Sequence, residues 1–249
     1  MMTADADLLD RRRSATLDPA AVAGFDCVLC DLDGCLIAQG QAFADAARFV
    51  AACGERLWIV SNNSADTGET LSARLCALGL DIPPARIVLA GEETIRHLAT
   101  ESSRIAVQGS APLQALARAL GVLAEDAPDS IVLCRDPRLT VDMLGPLADR
   151  IAGADEFWVA NTDISHPGRD GSPVAETGVL LAALTALLPS LRHRSLGKPD
   201  AYLVETALDR AGTPPEAAIF VGDNPSTDGL AAARAGVSFL HLDRDGARP

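Results

Sequence analysis

The sequence is almost free of lysine. Lys198 is the single lysine among 249 residues, whereas arginine occurs 20 times. In a chain with so strong a preference for arginine, a lone lysine indicates a position that needs a compact ammonium group rather than a planar guanidinium. Lys198 is therefore a candidate functional residue.

The sequence also lacks any long apolar run. No stretch approaches the ~18 apolar residues of a membrane-spanning helix. The first 24 residues have no apolar core of the kind that a secretory signal peptide carries. These absences predict a cytoplasmic protein with a polar leader at residues 1–24 and without a membrane partner.

Positive charge is scarce as a whole. The chain has 34 acidic and 21 basic residues, which gives a formal net charge of −13 at pH 7. This charge argues against nucleic acid as a partner, because phosphate backbones bind to basic surfaces. An anionic substrate would need cations near its binding site that outweigh the repulsion from the net negative charge of the chain.

Cysteine and histidine show no arrangement typical of a disulfide framework or a zinc site. The six cysteines lie mostly in apolar surroundings, where free buried thiols are expected in a reducing compartment. The four histidines have no HxxxH or HExxH spacing. A chain of this length buries roughly 70–75% of its unfolded surface and needs no such crosslinks.

Short apolar runs alternate with segments of helical apolar spacing. This alternation is typical of βαβ units and predicts an α/β fold with a parallel sheet. The predicted strands are residues 25–30, 56–60, 86–89, 104–108, 131–134, 157–160, 217–221 and 237–242. The predicted helices are residues 42–52, 70–78, 113–120, 144–151, 178–188, 201–211 and 230–235.

Four polar clusters follow apolar segments of the predicted sheet. In open parallel sheets, ligands bind beyond the carboxyl ends of the strands. The clusters are DLDG at 31–34, SNNS at 61–64, GKP at 197–199 and GDNPSTDG at 222–229. Together they supply two carboxylate pairs, a hydroxyl with amides, and a cation. These groups can bind a phosphate together with a divalent cation.

The first cluster carries the reacting groups in this interpretation. Asp31 can attack a phosphoryl group and form an aspartyl-phosphate intermediate. Asp33 lies on the same side of an extended segment, so it can protonate the leaving alcohol and later deprotonate the attacking water. Gly34 permits a tight turn that brings backbone N–H groups near the phosphate.

The other clusters would hold the metal and the phosphate. Asp31 and Asp223 are predicted to hold Mg²⁺, which prefers carboxylate oxygens. Asp228 would anchor a metal-bound water or Lys198. The SNNS segment opens a helix, whose N-terminus favours an anion. The predicted phosphate-binding residues are Gly34, Ser61, Asn62, Asn63, Lys198 and Asn224.

The stretch CVLCDLDGCL offers a CxxC as a competing interpretation of the same region. Cys27 and Cys30 are three residues apart on a predicted strand, so their side chains point to opposite faces and pack in the core. Cys35 lies close to both aspartates in sequence. Its oxidation or alkylation could block the site, which is a hypothesis that thiol modification can test.

Together the four clusters resemble the four motifs of the haloacid dehalogenase superfamily. The chain is most similar to its class IIA capped phosphatases, which include 4-nitrophenyl, phosphoglycolate and pyridoxal phosphatases. The resemblance covers most of the chain from about residue 25. It implies a Rossmann-like three-layer core with a parallel sheet, an inserted α/β cap of the C2 type, and Mg²⁺-dependent hydrolysis of a small phosphorylated metabolite.

The resemblance also implies residue roles and boundaries. The core would comprise residues 25–83 and 178–249, with the cap at 84–177. Asp31 would be the nucleophile and Asp33 the acid and base. Mg²⁺ would be held by Asp31, the backbone carbonyl of Asp33, and Asp223.

Within the implied cap, the segment DPRLT at 136–140 resembles a loop that reaches the substrate in related phosphatases. This predicts that Arg138 contacts an anionic or polar leaving group. Asn161 and Asp163 are candidates for positioning the cap or the substrate, and His166 lies in the loop that returns to the core. Because caps of this type often mediate dimers in relatives, a homodimer through the cap is the implied assembly.

Three alternatives remain open from the sequence. A phosphomutase or a dehalogenase could have the same architecture, and a dehalogenase would need neither Asp33 nor Mg²⁺. A non-catalytic receiver-like module could be phosphorylated on Asp31 for binding rather than turnover. Receivers are about half this length, so the long insert argues against that class.

Overall fold

The computed structural model describes residues 12–167 and 173–244. The strands are β1 (Arg13–Ser14), β2 (Cys27–Cys30), β3 (Ile37–Ala38), β4 (Gln41–Ala42), β5 (Leu57–Ser61), β6 (Ile87–Leu89), β7 (Ile105–Gln108), β8 (Ser130–Leu133), β9 (Glu156–Val159), β10 (Ser165–Pro167), β11 (Pro173–Ala175), β12 (Ala218–Gly222) and β13 (Ser238–Leu242). The α-helices are α1 (Ala46–Cys53), α2 (Gly68–Ala77), α3 (Ala90–Glu101), α4 (Ala111–Ala119), α5 (Val141–Ala152), α6 (Thr177–Leu187), α7 (Tyr202–Ala211) and α8 (Leu230–Arg234).

A six-stranded sheet forms the main body of the fold. Its strand order is β1-β13-β12-β2-β5-β6, and all of its pairings are parallel. A separate sheet, with the order β7-β8-β9, is also parallel and lies in the segment between β6 and α6 (the insert, residues 90–176). The pairs β3–β4 and β10–β11 form two small antiparallel hairpins. The predicted α/β class with a parallel sheet is confirmed.

Strand β2 shows why the main sheet forms where it does. All four of its residues are buried, as is typical of a central parallel strand covered on both faces. Cys27 and Leu29 pack into one apolar cluster, whereas Val28 and Cys30 pack into the cluster on the opposite face. The prediction that the CxxC is core packing is confirmed, and both thiols are free.

Helix ends follow the local chemistry of the sequence. At the start of α2, the Thr67 hydroxyl accepts a hydrogen bond from the backbone N–H of Thr70, and the Thr70 hydroxyl accepts from the Thr67 N–H. At the end of α7, Gly212 adopts the left-handed conformation that stops a helix. The first cap begins the helix that follows the SNNS segment, and the second ends α7 before the turn that leads to β12.

All eight predicted strands and all seven predicted helices occur, with ends shifted by up to four residues. Helix α3 was not predicted, because it follows β6 directly and its first turn carries Glu92 and Glu93 rather than an apolar repeat. Strand β1 was not predicted either, since two residues that pair with a distant strand leave no periodic signal.

Part of the predicted polar leader packs on the main sheet. Arg13 and Ser14 pair with His241 and Leu242. The Leu17 side chain is buried in the apolar cluster that contains Val28 and Cys30 of β2. Residues 12–24 are thus structural, and residues 1–11 lie outside the described residues.

The division into core and cap stays a prediction. Strand β6 pairs with β5 at the edge of the main sheet, although the implied boundary at residue 84 places it in the cap. Sheet pairing within the insert begins only with β7.

Among the described helices, none is long and apolar enough to cross a membrane.

Candidate active site

The carboxyl ends of three adjacent strands converge on one cavity of about 640 Å³. Strands β12, β2 and β5 are neighbours in the sheet, so the residues that follow them meet at one edge. Asp31, Ser61 and Asp223 line the cavity, together with Lys198 from the loop before α7. The structure therefore brings together the four clusters that the sequence singles out.

Lys198 is the centre of a buried charge network. Its side chain is only 2% exposed, and its Nζ lies 2.7 Å from Asp31 Oδ1 and 2.7 Å from Asp228 Oδ1. Nζ also donates to the backbone carbonyl of Val60 at 3.0 Å. Burial alone would lower the pKa of Lys198, but the carboxylates of Asp228 and Asp31 raise it above its usual value, so the ammonium stays charged.

Three carboxylates crowd around this single lysine. Oxygens of Asp31, Asp223 and Asp228 all lie within 4.8 Å of one another. Burial, with the neighbouring Asp228 carboxylate second, raises the pKa of Asp223 to about 7. Burial also raises the pKa of Asp31, against the opposing effect of Lys198. One ammonium group does not balance three carboxylates, so the site favours an additional cation.

The donor atoms and the available space fit a magnesium ion. Carboxylate oxygens are the ligands that Mg²⁺ prefers. Gly34 has a φ of +79°, and a Cβ atom at this position would collide with the Asp223 carboxylate. The Gly34 N–H donates to the carbonyl of Ile37 at 2.8 Å, so it closes the turn after β2 instead of facing the cavity. Glycine thus allows the turn to approach Asp223.

Asp33 lies in the same cavity but outside the lysine network. Burial raises the pKa of its carboxyl group, while the nearby His166 opposes this shift. A raised pKa keeps more of the carboxyl group protonated than in an ordinary aspartate, and the protonated form is the one that can donate to a leaving group.

The SNNS segment lines the cavity, but its amide side chains are already engaged. Asn62 Nδ2 donates to Asp163 Oδ2 and to the Lys198 carbonyl, both at 2.9 Å, and Asn62 Oδ1 accepts from the Lys198 N–H at 2.7 Å. Asn63 accepts from the backbone N–H groups of residues 65 and 66 at 2.9 Å. In this arrangement the two asparagines hold the loops in place, and the Ser61 hydroxyl is the better candidate for a phosphate donor.

Asn224 and Asp228 are joined within the loop after β12. The backbone N–H of Asn224 donates to Asp228 Oδ2 at 3.1 Å, and the side chain of Asn224 accepts from the Ser226 N–H at 3.0 Å. Asp228 is fully buried, and this bond fixes its second oxygen. Asn224 itself lines the cavity.

The structure does not bring Arg138 to the cavity. Its guanidinium donates to Asp136 at 3.0 Å and to the Gly109 carbonyl at 2.7 Å, which turns it away from the site. Among the described residues that line the cavity, the titratable side chains from the insert are instead those of Arg135, Asp163, His166 and Glu176. The spacing in DPRLT gave no signal for Arg135, because the direction of a loop side chain depends on the tertiary fold.

Cys35 is inaccessible despite its position next to the aspartates. The residue is fully buried, and its Sγ faces the Val221 carbonyl at 4.0 Å. Burial raises the pKa of the thiol well above its usual value. Because the thiolate is the reactive form, both observations argue against the hypothesis that Cys35 is a modification site.

Family comparisons agree with this geometry. The family of haloacid dehalogenase-like hydrolases matches residues 28–123, and a HAD-hydrolase-like family matches residues 195–247. The two matches contain Lys198 and the ends of β2, β5 and β12, which line the cavity.

Related proteins are phosphatases. Dihydroxyacetone phosphatase of Corynebacterium glutamicum is 31% identical over 218 residues, which cover 85% of this chain and 78% of that protein. Ribonucleotide monophosphatase NagD of Escherichia coli is 27% identical over 218 residues, covering 86% of this chain and 85% of that protein.

A solved structure provides the third comparison. Glycerol phosphate phosphatase from Mycobacterium tuberculosis, in complex with magnesium, matches with a TM-score of 0.79 and 28% identity over 88% of this chain and 68% of that one. The chain therefore belongs to the haloacid dehalogenase-like hydrolases, among their capped phosphatases.

Proposed function

We propose that this chain hydrolyses small phosphomonoesters with Mg²⁺, using Asp31 as the nucleophile. The observation that carries the proposal is the cluster of Asp31, Asp223 and Asp228 within 4.8 Å of one another around a buried lysine, at the edge of the sheet where ligands bind.

The groups present support a two-step displacement. Lys198 binds one oxygen of Asp31, which orients the carboxylate and leaves its other oxygen for attack on phosphorus. As the new P–O bond forms, the ester P–O bond breaks, and the leaving alkoxide takes the proton of Asp33. Asp33, now ionised, then removes a proton from the water that attacks the aspartyl phosphate and releases phosphate.

Asp31, Asp223 and the backbone carbonyl of Asp33 would hold the Mg²⁺. The ion would supply positive charge near the phosphoryl oxygens when it is bound. Asp228 is completely buried and already paired with Lys198, which supports a role in fixing this lysine and the neighbouring carboxylates.

Removal of the metal tests the proposed activity. We expect wild-type protein with Mg²⁺ to release phosphate from a panel of phosphomonoesters that includes 4-nitrophenyl phosphate, and EDTA to abolish this activity. Renewed addition of Mg²⁺ should restore it, because chelation leaves the chain intact. Equal rates with and without metal would contradict the proposal and favour dehalogenase-like chemistry. Absence of phosphate release from every ester would contradict the hydrolase function altogether.

Native-state alkylation tests the accessibility of Cys35. Iodoacetamide is expected to label Cys76, which is exposed, to spare the buried Cys35, and to leave phosphatase activity unchanged. Mass spectrometry of tryptic peptides identifies the labelled thiol, and Cys76→Ser serves as the control that should take up no label. Loss of activity together with a label on Cys35 would show that the burial seen here opens in solution.

We also propose a cytoplasmic location and a homodimer through the insert. Exposed Val141 and Met143 at the start of α5 support the insert as a contact surface.

A further inference from the structure

A buried arginine that follows β13 binds both ends of one short segment next to the active site. Arg244 Nη2 donates to the backbone carbonyl of Cys35 at 2.7 Å and to Asp45 Oδ1 at 2.9 Å. Arg244 Nη1 donates to Asp45 Oδ2 at 3.2 Å. The side chain of Arg244 is only 10% exposed. One guanidinium therefore joins the first and the last residue of the segment 35–45, which is called the 35–45 loop.

The 35–45 loop forms part of the wall of the active-site cavity. It contains the β3–β4 hairpin, and Ile37, Gln39 and Gly40 of this hairpin line the cavity together with Asp33. Arg244 does not line the cavity itself. It acts on the cavity only through the loop that it holds.

The turn that carries Asp33 runs directly into this loop. Gly34 alone separates Asp33 from Cys35, and the Gly34 N–H donates to the Ile37 carbonyl at 2.8 Å. Asp33 also forms a parallel β-bridge with Ile37. These contacts join the Asp33 turn to the hairpin, and the hydrogen bond from Arg244 fixes the Cys35 carbonyl between them. A displacement of Cys35 would therefore move the Asp33 carboxyl group as well.

The partners of Arg244 are themselves held in place. The guanidinium carbon lies 3.9 Å from the centroid of the Phe43 ring, which is a cation–π contact within the same loop. The Leu17 N–H donates to Asp45 Oδ2 at 2.8 Å. Burial alone would raise the pKa of Asp45, but the hydrogen bonds from Arg244 and Leu17 lower it, so the pair stays charged at neutral pH.

The shape of the guanidinium suits this arrangement. A planar group with several donors in fixed directions can bind a carboxylate through two nitrogens and still donate to a carbonyl. A lysine at this position would keep the positive charge, but its flexible ammonium would not fix the directions of both acceptors. The three hydrogen bonds of Arg244 therefore set the distance between the two ends of the loop.

We propose that Arg244 is a positioning residue, which holds the 35–45 loop so that the Asp33 carboxyl group is aligned with the leaving oxygen of the substrate. This proposal rests on the proposed phosphatase function and adds to it a residue from outside the cavity.

Two aryl esters with the same ring test the alignment of Asp33. Arg244→Met should lower kcat/KM for phenyl phosphate roughly 10-fold, but that for 4-nitrophenyl phosphate less than about threefold, because the more basic phenolate gains more from protonation. Both values of kcat/KM scale with the amount of folded enzyme, so partial unfolding leaves their ratio unchanged. An equal fall for the two esters would overturn the proposal.

Asp33→Asn shows the direction in which loss of the proton donor moves this ratio. We expect Arg244→Met to move it in the same direction, by less. If Asp33→Asn changes the ratio and Arg244→Met does not, the positioning role is overturned while the proposed function stands. Inactivity of the wild-type protein toward both esters would instead mark failure of the proposed function.

Hydrogen exchange measures the loop without reference to activity. The N–H groups of Leu36 and Ile37 donate to the Leu32 carbonyl at 2.9 and 3.0 Å. These amides should exchange faster in Arg244→Met than in wild type, while the amides of β5 keep their wild-type rates. Unchanged exchange of the two loop amides would contradict the proposal that Arg244 holds the loop.

Arg13→Met is the matched control. Arg13 pairs with Asp243, the neighbour of Arg244, but in the part of the chain that the structure describes its side chain bonds to no residue of the 35–45 loop. The substitution should change neither the ratio nor the exchange of the loop amides, and a change equal to that of Arg244→Met would overturn the assignment.

Arg244→Lys tests the need for the planar group. It keeps a positive charge opposite Asp45, so it should restore the midpoint of thermal unfolding more fully than the ratio of the two kcat/KM values. Full recovery of the ratio would show that charge alone suffices and would overturn the role of the guanidinium.

Discussion

Asp31→Asn is expected to lower kcat for phosphate release by roughly 10³-fold or more, with the fold intact. An amide oxygen is a poor nucleophile, so the aspartyl phosphate would not form. The amide can still accept the hydrogen bond from Lys198, which in wild type spans 2.7 Å. Steady-state phosphate release with Mg²⁺ and an alkyl phosphate measures the loss.

Stability separates this loss from misfolding. The Asp31→Asn substitution removes one of three crowded carboxylates, two of which have raised pKa values, while Lys198 keeps its partner Asp228. In EDTA the midpoint of thermal unfolding should therefore stay within a few degrees of wild type. Asp81→Asn, a change of the same kind at an exposed position, should leave both activity and stability unaltered.

Asp33→Asn provides the comparison within the site. With an alkyl phosphate, the Asp33→Asn variant should lose most of its activity. With 4-nitrophenyl phosphate, formation of the aspartyl phosphate should slow less, because that leaving group departs without a proton. Asp31→Asn should lose activity toward both esters. Retention of more than a few per cent of wild-type turnover in Asp31→Asn would contradict nucleophilic attack by this residue.

The convergence of the site was predictable because it depends on backbone topology. In a parallel sheet the residues after each strand meet at one edge, so the placement of Asp31, Ser61 and Asp223 follows from finding the apolar runs. The three strands that carry these residues, β2, β5 and β12, were predictable because each is a continuous buried run. Lys198 was also predictable as a site residue, because it is the single lysine of the sequence and follows an apolar segment.

Side-chain partners inside the insert were not predictable in the same way. Arg135 and Arg138 stand three residues apart in one loop, and only tertiary contacts decide that the first lines the cavity while Asp136 and Gly109 hold the second away. Likewise, the sequence predicts that Asn62 binds the phosphate. It gives no sign that the Asn62 amide is hydrogen-bonded to the backbone of Lys198 and to the side chain of Asp163. These contacts join residues about 100 or more positions apart and leave no local pattern.

Lys198→Met is expected to destabilise the protein as well as inactivate it. The substitution leaves Asp31 and the fully buried Asp228 without their shared cation, and loss of one partner from a buried ion pair costs about 3–5 kcal/mol. The free energy of unfolding of a domain is about 5–15 kcal/mol, so this cost is a large part of it. We therefore expect a clear fall in the urea concentration at the midpoint of unfolding, measured in EDTA. Activity should fall too, because the Asp31 carboxylate loses the group that orients it.

The double variant Lys198→Met/Asp228→Asn shows whether uncompensated charge is the cause. The Asp228→Asn change removes the buried carboxylate that Lys198→Met would strand, so the double variant should be more stable than Lys198→Met alone although it carries one more substitution. Its activity should stay low, because the double variant still lacks the ammonium group that orients the Asp31 carboxylate. If the two substitutions instead destabilise additively, the lysine contributes through packing and not through charge. That result would remove the electrostatic reason for a single lysine in a chain that otherwise uses arginine.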